Sequence, residues 1–330
     1  MAKKILKRSL ALGALMAFVI TGSAMAESIK NENLTDVTVV NASSDFEELL
    51  GEENANSRSY AYAADDGRSY TIDNEIGTTI EIINELTGCE RNYGIALEKN
   101  SSLTINTDTS VKTTIDSADS EIRTIRNNGG KSLIFNGNAT ITSINTEGFA
   151  KGVDGWTRSI TEFNGEKTII DVTAGANDSY GTQASDNAKI IFNSKNTTIN
   201  SKTVAAQSID PIDGPRPDGY NQTAKGLYTN NTKTSGGIYV NSDSFTVTSS
   251  TDPNDSGYSS ATAVRSEGYG KIIFGDKVNA TLNALTNKGK AIGIWTSYYT
   301  EAVFGGKSLT VNSESKDGYA YGRSWTWQLR

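Results

Sequence analysis

"KIIFGDKVNATLN", residues 271–283, sets two short runs of apolar and β-branched residues on either side of a Gly-Asp turn. Near copies stand at 132–144 ("SLIFNGNATITSI"), 189–201 ("KIIFNSKNTTINS") and 301–313 ("EAVFGGKSLTVNS"). The runs after each turn alternate apolar with polar, as Phe245 with Val247 and Leu309 with Val311 do, which is the pattern of a half-buried strand. Aligning the last apolar residue before each turn gives Phe135, Phe163, Phe192, Val240, Phe274 and Phe304, at intervals of 28, 29, 48, 34 and 30 residues. The two long intervals contain all four prolines: Pro211, Pro215, Pro217 and Pro253. Proline cannot donate to a β ladder, so the long intervals read as ordinary repeats carrying loop insertions.

A further phrase precedes each of these strands: "YGTQAS" at 180–185, "AKGLYT" at 224–229, "ATAVRS" at 261–266 and "AIGIWT" at 291–296. Each repeat therefore holds three short strands in about 29 residues. One such unit cannot pair its own backbone groups and is stable only with an equivalent unit stacked on it. The sequence predicts an all-β fold: a right-handed parallel β-helix from 71 to 330, with Phe135, Phe163, Phe192, Phe274 and Phe304 in one column along the axis. A β-sandwich of immunoglobulin type would need about 100 residues and seven strands per unit, against the observed period.

The two ends differ from this texture. Residues 1–26 place Lys3, Lys4, Lys7 and Arg8 before the apolar "LALGALMAFVI" and end in Ala24-Met25-Ala26, the pattern of a cleaved export signal. The mature chain is expected to begin at Glu27. Residues 27–70 are acidic and poor in large aliphatics, and predict a poorly ordered leader. At the other end "AYGRSW", 320–325, aligns with "AIGIWT", so the chain is expected to stop within a coil.

Removing the four cations of the signal takes the net charge from −7 to −11. That balance argues against nucleic acid as a partner. With no histidine, the Ser-His-Asp triad and the common zinc sites are excluded; no metal or cofactor is expected. "NDSGYS", 254–259, therefore reads as a turn rather than a protease serine motif. Cys89 is the one cysteine, so no internal disulfide forms, and it reads as a small buried hydrophobe.

The signal, the recurring K-x-I-F-N/G turn, the Ser/Thr/Asn/Gly texture and the scarcity of cysteine together resemble the passenger region of a type V autotransporter. That resemblance implies a β-helical stalk carried through an outer-membrane barrel and shown at the cell surface for adhesion. No strands of such a translocator barrel are read within 1–330, so the chain is expected to be a fragment, a truncated product or an N-terminal half of such a protein.

Candidate contact residues lie in the proline-rich insertion "SIDPIDGPRPDGYNQ", 208–222: Asp210, Asp213, Arg216, Asp218 and Tyr220. Three prolines stiffen this loop and lower the entropy lost when a partner orders it; its aspartates also suit weak Ca²⁺ binding, although the Gly-Gly-x-Gly-x-Asp calcium repeat is absent from the sequence. Aromatic residues at variable positions (Tyr228, Tyr269, Trp295 and Tyr299 among them) are candidates for glycan or protein contact. Asp154, followed by Trp156 and Arg158, is the clearest acidic grouping outside the loop. The functional expectation is a non-catalytic surface or secreted adhesive protein, with a host or matrix protein or a glycan as partner. The alternative is a carbohydrate-active β-helix enzyme, which would gather charged side chains into one groove.

Overall fold

The computed structural model describes residues 27–30, 37–38, 58–64, 67–73, 79–85, 90–175, 178–204, 223–232, 236–252, 259–297 and 299–326. Among them the regular elements are all strands, in three parallel sheets of nine. Consecutive strands enter different sheets, and each pairs with its counterpart one coil away. Sheet I holds Ser132–Phe135, Ile160–Phe163, Lys189–Phe192 and Lys271–Phe274; sheet II holds Ala139–Asn145, Lys167–Ala174, Asn196–Thr203 and Asn279–Thr286; sheet III holds Phe149–Trp156, Ser179–Ser185, Thr223–Asn231 and Ser260–Gly268. The two halves of the 271–283 phrase are thus not a hairpin. Lys271–Phe274 pairs with Gly237–Val240 and Glu301–Phe304, while Asn279–Thr286 pairs with Ser244–Thr251 and Ser308–Ser315. The chain is a parallel β-helix: strands run across the long axis and their hydrogen bonds run along it.

The stack also reaches back past the boundary read at 71. Arg58–Ala64 is a strand of sheet III paired with Arg91–Glu98, and Glu27–Lys30 pairs with Tyr70–Asp73. "RSYAYAA" alternates aromatic with small residues, a strand pattern that its acidic surroundings conceal. Cys89, the four prolines and the signal lie outside the described residues. Both insertions fall, in sequence, between a sheet II strand and the sheet III strand that follows.

Inward positions form columns. In sheet I, Ile72, Ile105, Phe135, Phe163, Phe192, Val240, Phe274 and Phe304 are successive partners. Phe135, Phe163 and Phe192 stack face to face, with centroids 5.0 and 5.2 Å apart and planes within 8°. Val240 would break the column, but Phe245 enters from sheet II and touches Phe192 at 5.6 Å and Phe274 at 5.8 Å. Each such ring pair contributes about 0.5–1.5 kcal/mol beyond its area burial.

The residue after each member of this column, from Ile105 to Val240, turns the chain from sheet I to sheet II and builds a second column, exposed this time. The Asn136 side-chain amide donates to Asn106 (2.7 Å), Asn164 to Asn136 (3.0 Å), Asn193 to Asn164 (2.9 Å) and Asn241 to Asn193 (2.9 Å). Asn106 in turn donates to Asp73. Asparagine thus extends the ladder from Asn106 to Asn241, and Gly275 and Gly305 stand at the equivalent place in the later coils.

Sheet III packs on sheet II through a column of small residues: Gly94, Thr124, Gly152, Gly181, Gly226, Ala263 and Gly293. These face the inward aliphatic residues of sheet II, and a Cβ on Gly226 would lie 2.1 Å from Val247 Cγ1. Beside them a hydroxyl column crosses the gap. Ser143 donates to the Lys151 carbonyl at 2.6 Å, and Ser179 and Ser201 share a 2.8 Å bond. The alternation read from sequence did not foresee these buried polar positions.

Tight turns join sheet III to sheet I. In 98–101, 156–159 and 185–188 the fourth amide donates to the first carbonyl, and both central residues have positive φ. These are type I′ turns. Asp186-Asn187 suits that geometry, whereas Thr157 at φ 51° is a β-branched residue in the left-handed region. Thr157→Asn is expected to raise the thermal midpoint by the equivalent of about 1 kcal/mol. A calorimetric scan showing a lower midpoint would count against stored strain at this turn.

Candidate functional site

Asp210, Asp213, Arg216, Asp218 and Tyr220 lie outside the described residues. The described residues place the densest grouping of charge on the face of sheet III turned away from the core. In Phe149–Trp156 both Gly152 and Val153 face inward, which puts Lys151 and Asp154, three residues apart, on the same outer face. Parallel pairing then sets Arg123 beside Lys151 and Arg126 beside Asp154.

Asp154 is completely buried, although it faces outward. Its Oδ2 accepts from Arg126 and from Arg123 (3.0 Å), and Lys151 Nζ stands 3.8 Å away. Its Oδ1 accepts from the Trp156 indole at 2.7 Å. Glu121 holds the far side of Arg123 at 2.8 Å. Three cations and two carboxylates are thus packed across two coils. Burial alone would raise the Asp154 pKa, but Lys151, then Arg126 and Arg123, together with the Trp156 N–H outweigh it and hold the group below the carboxylate range. Burial acts against Arg123 as well, but Asp154 and Glu121 more than compensate. Lys151 is the surplus cation: burial outweighs its carboxylate neighbours and lowers its pKa from 10.5 to about 8.

The two shifts have opposite consequences with pH. Asp154 contributes stability that is present above the unfolded carboxylate pKa and is lost as pH falls through its lower folded value. Lys151 sheds its proton near pH 8 when folded and near 10.5 when unfolded. Between those values the unfolded chain binds more protons, so stability rises with pH. Denaturant titrations should show the wild type gaining on Lys151→Met between pH 8 and 10, by at most about 3 kcal/mol. Parallel curves would show that Lys151 titrates normally.

The same face continues along the axis as alternating cations and rings. Lys225 Nζ lies 4.1 Å from the centroid of Tyr180 and 5.4 Å from that of Tyr228; Arg265 lies 4.6 Å over Trp295. Lys225 pairs with Asp178, which also accepts from the Tyr180 hydroxyl at 3.0 Å. Tyr228 donates to Glu267 at 2.7 Å, and Glu267 is paired with Arg265. Burial, then these carboxylates, raise the Tyr180 and Tyr228 pKa values well above normal.

Of the sequence grouping, Asp154 and Trp156 meet and Arg158 does not. Arg158 sits on the next turn and lines a corner cavity with Lys99, Asn100, Gly129, Gly130 and Lys131. Sequence reasoning missed Glu121, Arg123, Arg126 and Lys151; the available signal was "EIRTIR", 121–126, in which alternation exposes Glu121 and Arg123, while Arg126 faces outward only because Thr124 and Ile125 both turn inward. Among the described residues no group of three or more His, Cys, Asp or Glu is placed to hold a metal. No family model, curated protein or solved structure matches the chain.

Proposed function

We propose that this chain is an exported β-helical scaffold, of the autotransporter passenger kind, that is shown at a cell surface and acts by adhesion without a catalytic step. The observation that carries the non-catalytic part is the sealing of Asp154: each oxygen is occupied by donors and the side chain has no exposed area. A carboxylate so held reaches no substrate, and its charge serves to join neighbouring coils. Export rests on the pattern of residues 1–26, and adhesion on a rigid stack that presents variable turns at its corners.

The test is expression of the full chain in a diderm bacterium. Mass spectrometry should find Glu27 at the N-terminus, and the purified protein should bind matrix- or glycan-coated surfaces saturably. An uncleaved cytoplasmic product that binds none of them would refute the reading. Removing 208–222 tests the insertion as a contact site: adhesion falls if that loop makes the contact.

A carbohydrate-active enzyme remains the second reading, because Glu121, Arg123, Arg126, Lys151 and Asp154 gather on one face. Turnover of an acidic polysaccharide by the wild type, lost in an Asp154→Asn protein that circular dichroism shows to be still folded at the assay temperature, would establish it over the scaffold.

A further inference from the structure

We infer that the ridge of turns from sheet III to sheet I binds an acidic oligosaccharide, its anionic groups at Lys99, Lys131 and Arg158 and its sugar faces at Tyr269 and Tyr299. The inference rests on the adhesive reading and names its ligand class.

The ridge is one corner of the helix seen in successive coils. Its turns carry Lys99-Asn100, Gly129-Gly130-Lys131, Thr157-Arg158, Asp186-Asn187, Gly268-Tyr269 and, farther on, Tyr299. Adjacent coils stand about 4.8 Å apart; Lys99, Lys131, Arg158 and Asp186 occupy four successive coils, and Tyr269 and Tyr299 the third and fourth coils beyond Arg158. At the second turn Gly129 carries no side chain and a Cβ there would meet nothing nearer than Thr157 at 3.9 Å, and a cavity lies at this corner between Lys99 and Arg158. Three cations surround that cavity against one carboxylate, Asp186, in a chain whose net charge is −7. Lys131 and Arg158 carry charge opposite in sign to that of the whole chain, which favours the approach of an anion to this corner. Neither Lys131 nor Arg158 enters a salt bridge among the described residues, in contrast to the tightly paired cations of the sheet III face.

A second observation lies on the same ridge. Tyr269 and Tyr299 stack with centroids 5.1 Å apart and planes within 10°, and they remain 40 % and 62 % exposed. Gly268 has left-handed backbone in the turn closed by the Gly270 amide on the Glu267 carbonyl at 3.1 Å, and Tyr299 is left-handed as well. Stacked exposed tyrosines offer an apolar face with little entropy to lose. Arg158 and Tyr269 are three coils apart, about 14 Å, so one small anion cannot span them and an extended chain can. A polymer with carboxylate or sulfate groups beside apolar ring faces meets both demands.

The test is titration calorimetry of the full chain with three probes of equal length: a sulfated heparin octasaccharide, an oligogalacturonate and neutral malto-octaose. One or both acidic probes should bind, more weakly at 500 mM than at 50 mM NaCl, and the neutral one at least about tenfold more weakly. Lys131→Ala/Arg158→Ala should lose about tenfold or more in affinity, and Tyr269→Ala/Tyr299→Ala about fivefold. Asp186→Asn should bind more tightly. Lys277→Ala/Lys307→Ala, on exposed lysines of another corner, should match the wild type. Equal affinity for the neutral probe, or full affinity in both ridge variants, overturns the inference. So does a wild type that binds neither acidic probe, and in that case surface adhesion separately decides the scaffold reading. Tight acidic binding without any adhesion would uphold the ridge and refute the scaffold role.

Discussion

Gly226→Val is expected to leave the chain without a cooperative melting transition, or insoluble. A Cβ at this position meets Val247 Cγ1 at 2.1 Å, the Ala263 carbonyl oxygen at 2.7 Å and Ser249 Oγ at 3.0 Å. Two of these obstacles differ in kind from a movable side chain. The carbonyl belongs to the ladder of the next coil, and the valine is wedged in the sheet II column, so relief requires moving sheet III away from sheet II. Overpacking of well-filled cores costs about 1–3 kcal/mol where neighbours can shift, and here they cannot. The loss should be about 3 kcal/mol or more, and Gly226→Ala should lose less, since Ala263 occupies the equivalent place one coil on. Circular dichroism melts of both variants decide the matter. A Gly226→Val midpoint within about 2 °C of wild type would show that the sheets are not in close contact.

Asp154→Ala should be nearly as damaging for an electrostatic reason. It leaves Arg123, Arg126 and Lys151 buried together, with only Glu121 to compensate. Removing one partner from a buried charge network costs about 3–5 kcal/mol, because the remaining charges stay desolvated. Lys151→Met tests the same network from the opposite side. The lysine is the cation whose charge the site disfavours, and Asp154 keeps both arginines and the Trp156 N–H without it. Its removal should therefore cost less than about 1 kcal/mol, and the double variant should recover part of the Asp154→Ala loss. Urea denaturation of the three proteins gives the comparison; an Asp154→Ala protein as stable as wild type would mean that the cluster contributes nothing to the fold.

The phenylalanine column was legible in the sequence because one aromatic residue, one turn and one spacing coincide at Phe135, Phe163, Phe192, Phe274 and Phe304. Val240 fell in the right place by spacing alone, yet no linear pattern could show that Phe245, from another sheet, takes over its contacts. The sheet III cluster was illegible for a different reason. Asp154 was noticed beside Trp156 and Arg158, its neighbours in sequence, whereas its ion partners are Arg123 and Arg126, one coil away. Finding them requires the register, together with the paired inward positions of Gly152 and Val153, which break simple alternation. At Tyr60 and Tyr62 two signals disagree: the acidic composition reads as leader, whereas aromatic residues alternating with small ones read as the strand that pairs with Arg91–Glu98.

The orientation of the ladders also fixes how the molecule would respond to load. Because the hydrogen bonds lie parallel to the long axis, tension applied between the two ends falls on them lengthwise, and the outermost coil can peel away one bond at a time. Resistance is then set by the weakest single coil rather than by the sum of all coils. Each coil of about 30 residues that yields adds roughly 100 Å of slack. A tether built in this way gives ground in steps, absorbing a sudden pull by lengthening while the coils behind the breaking point stay folded.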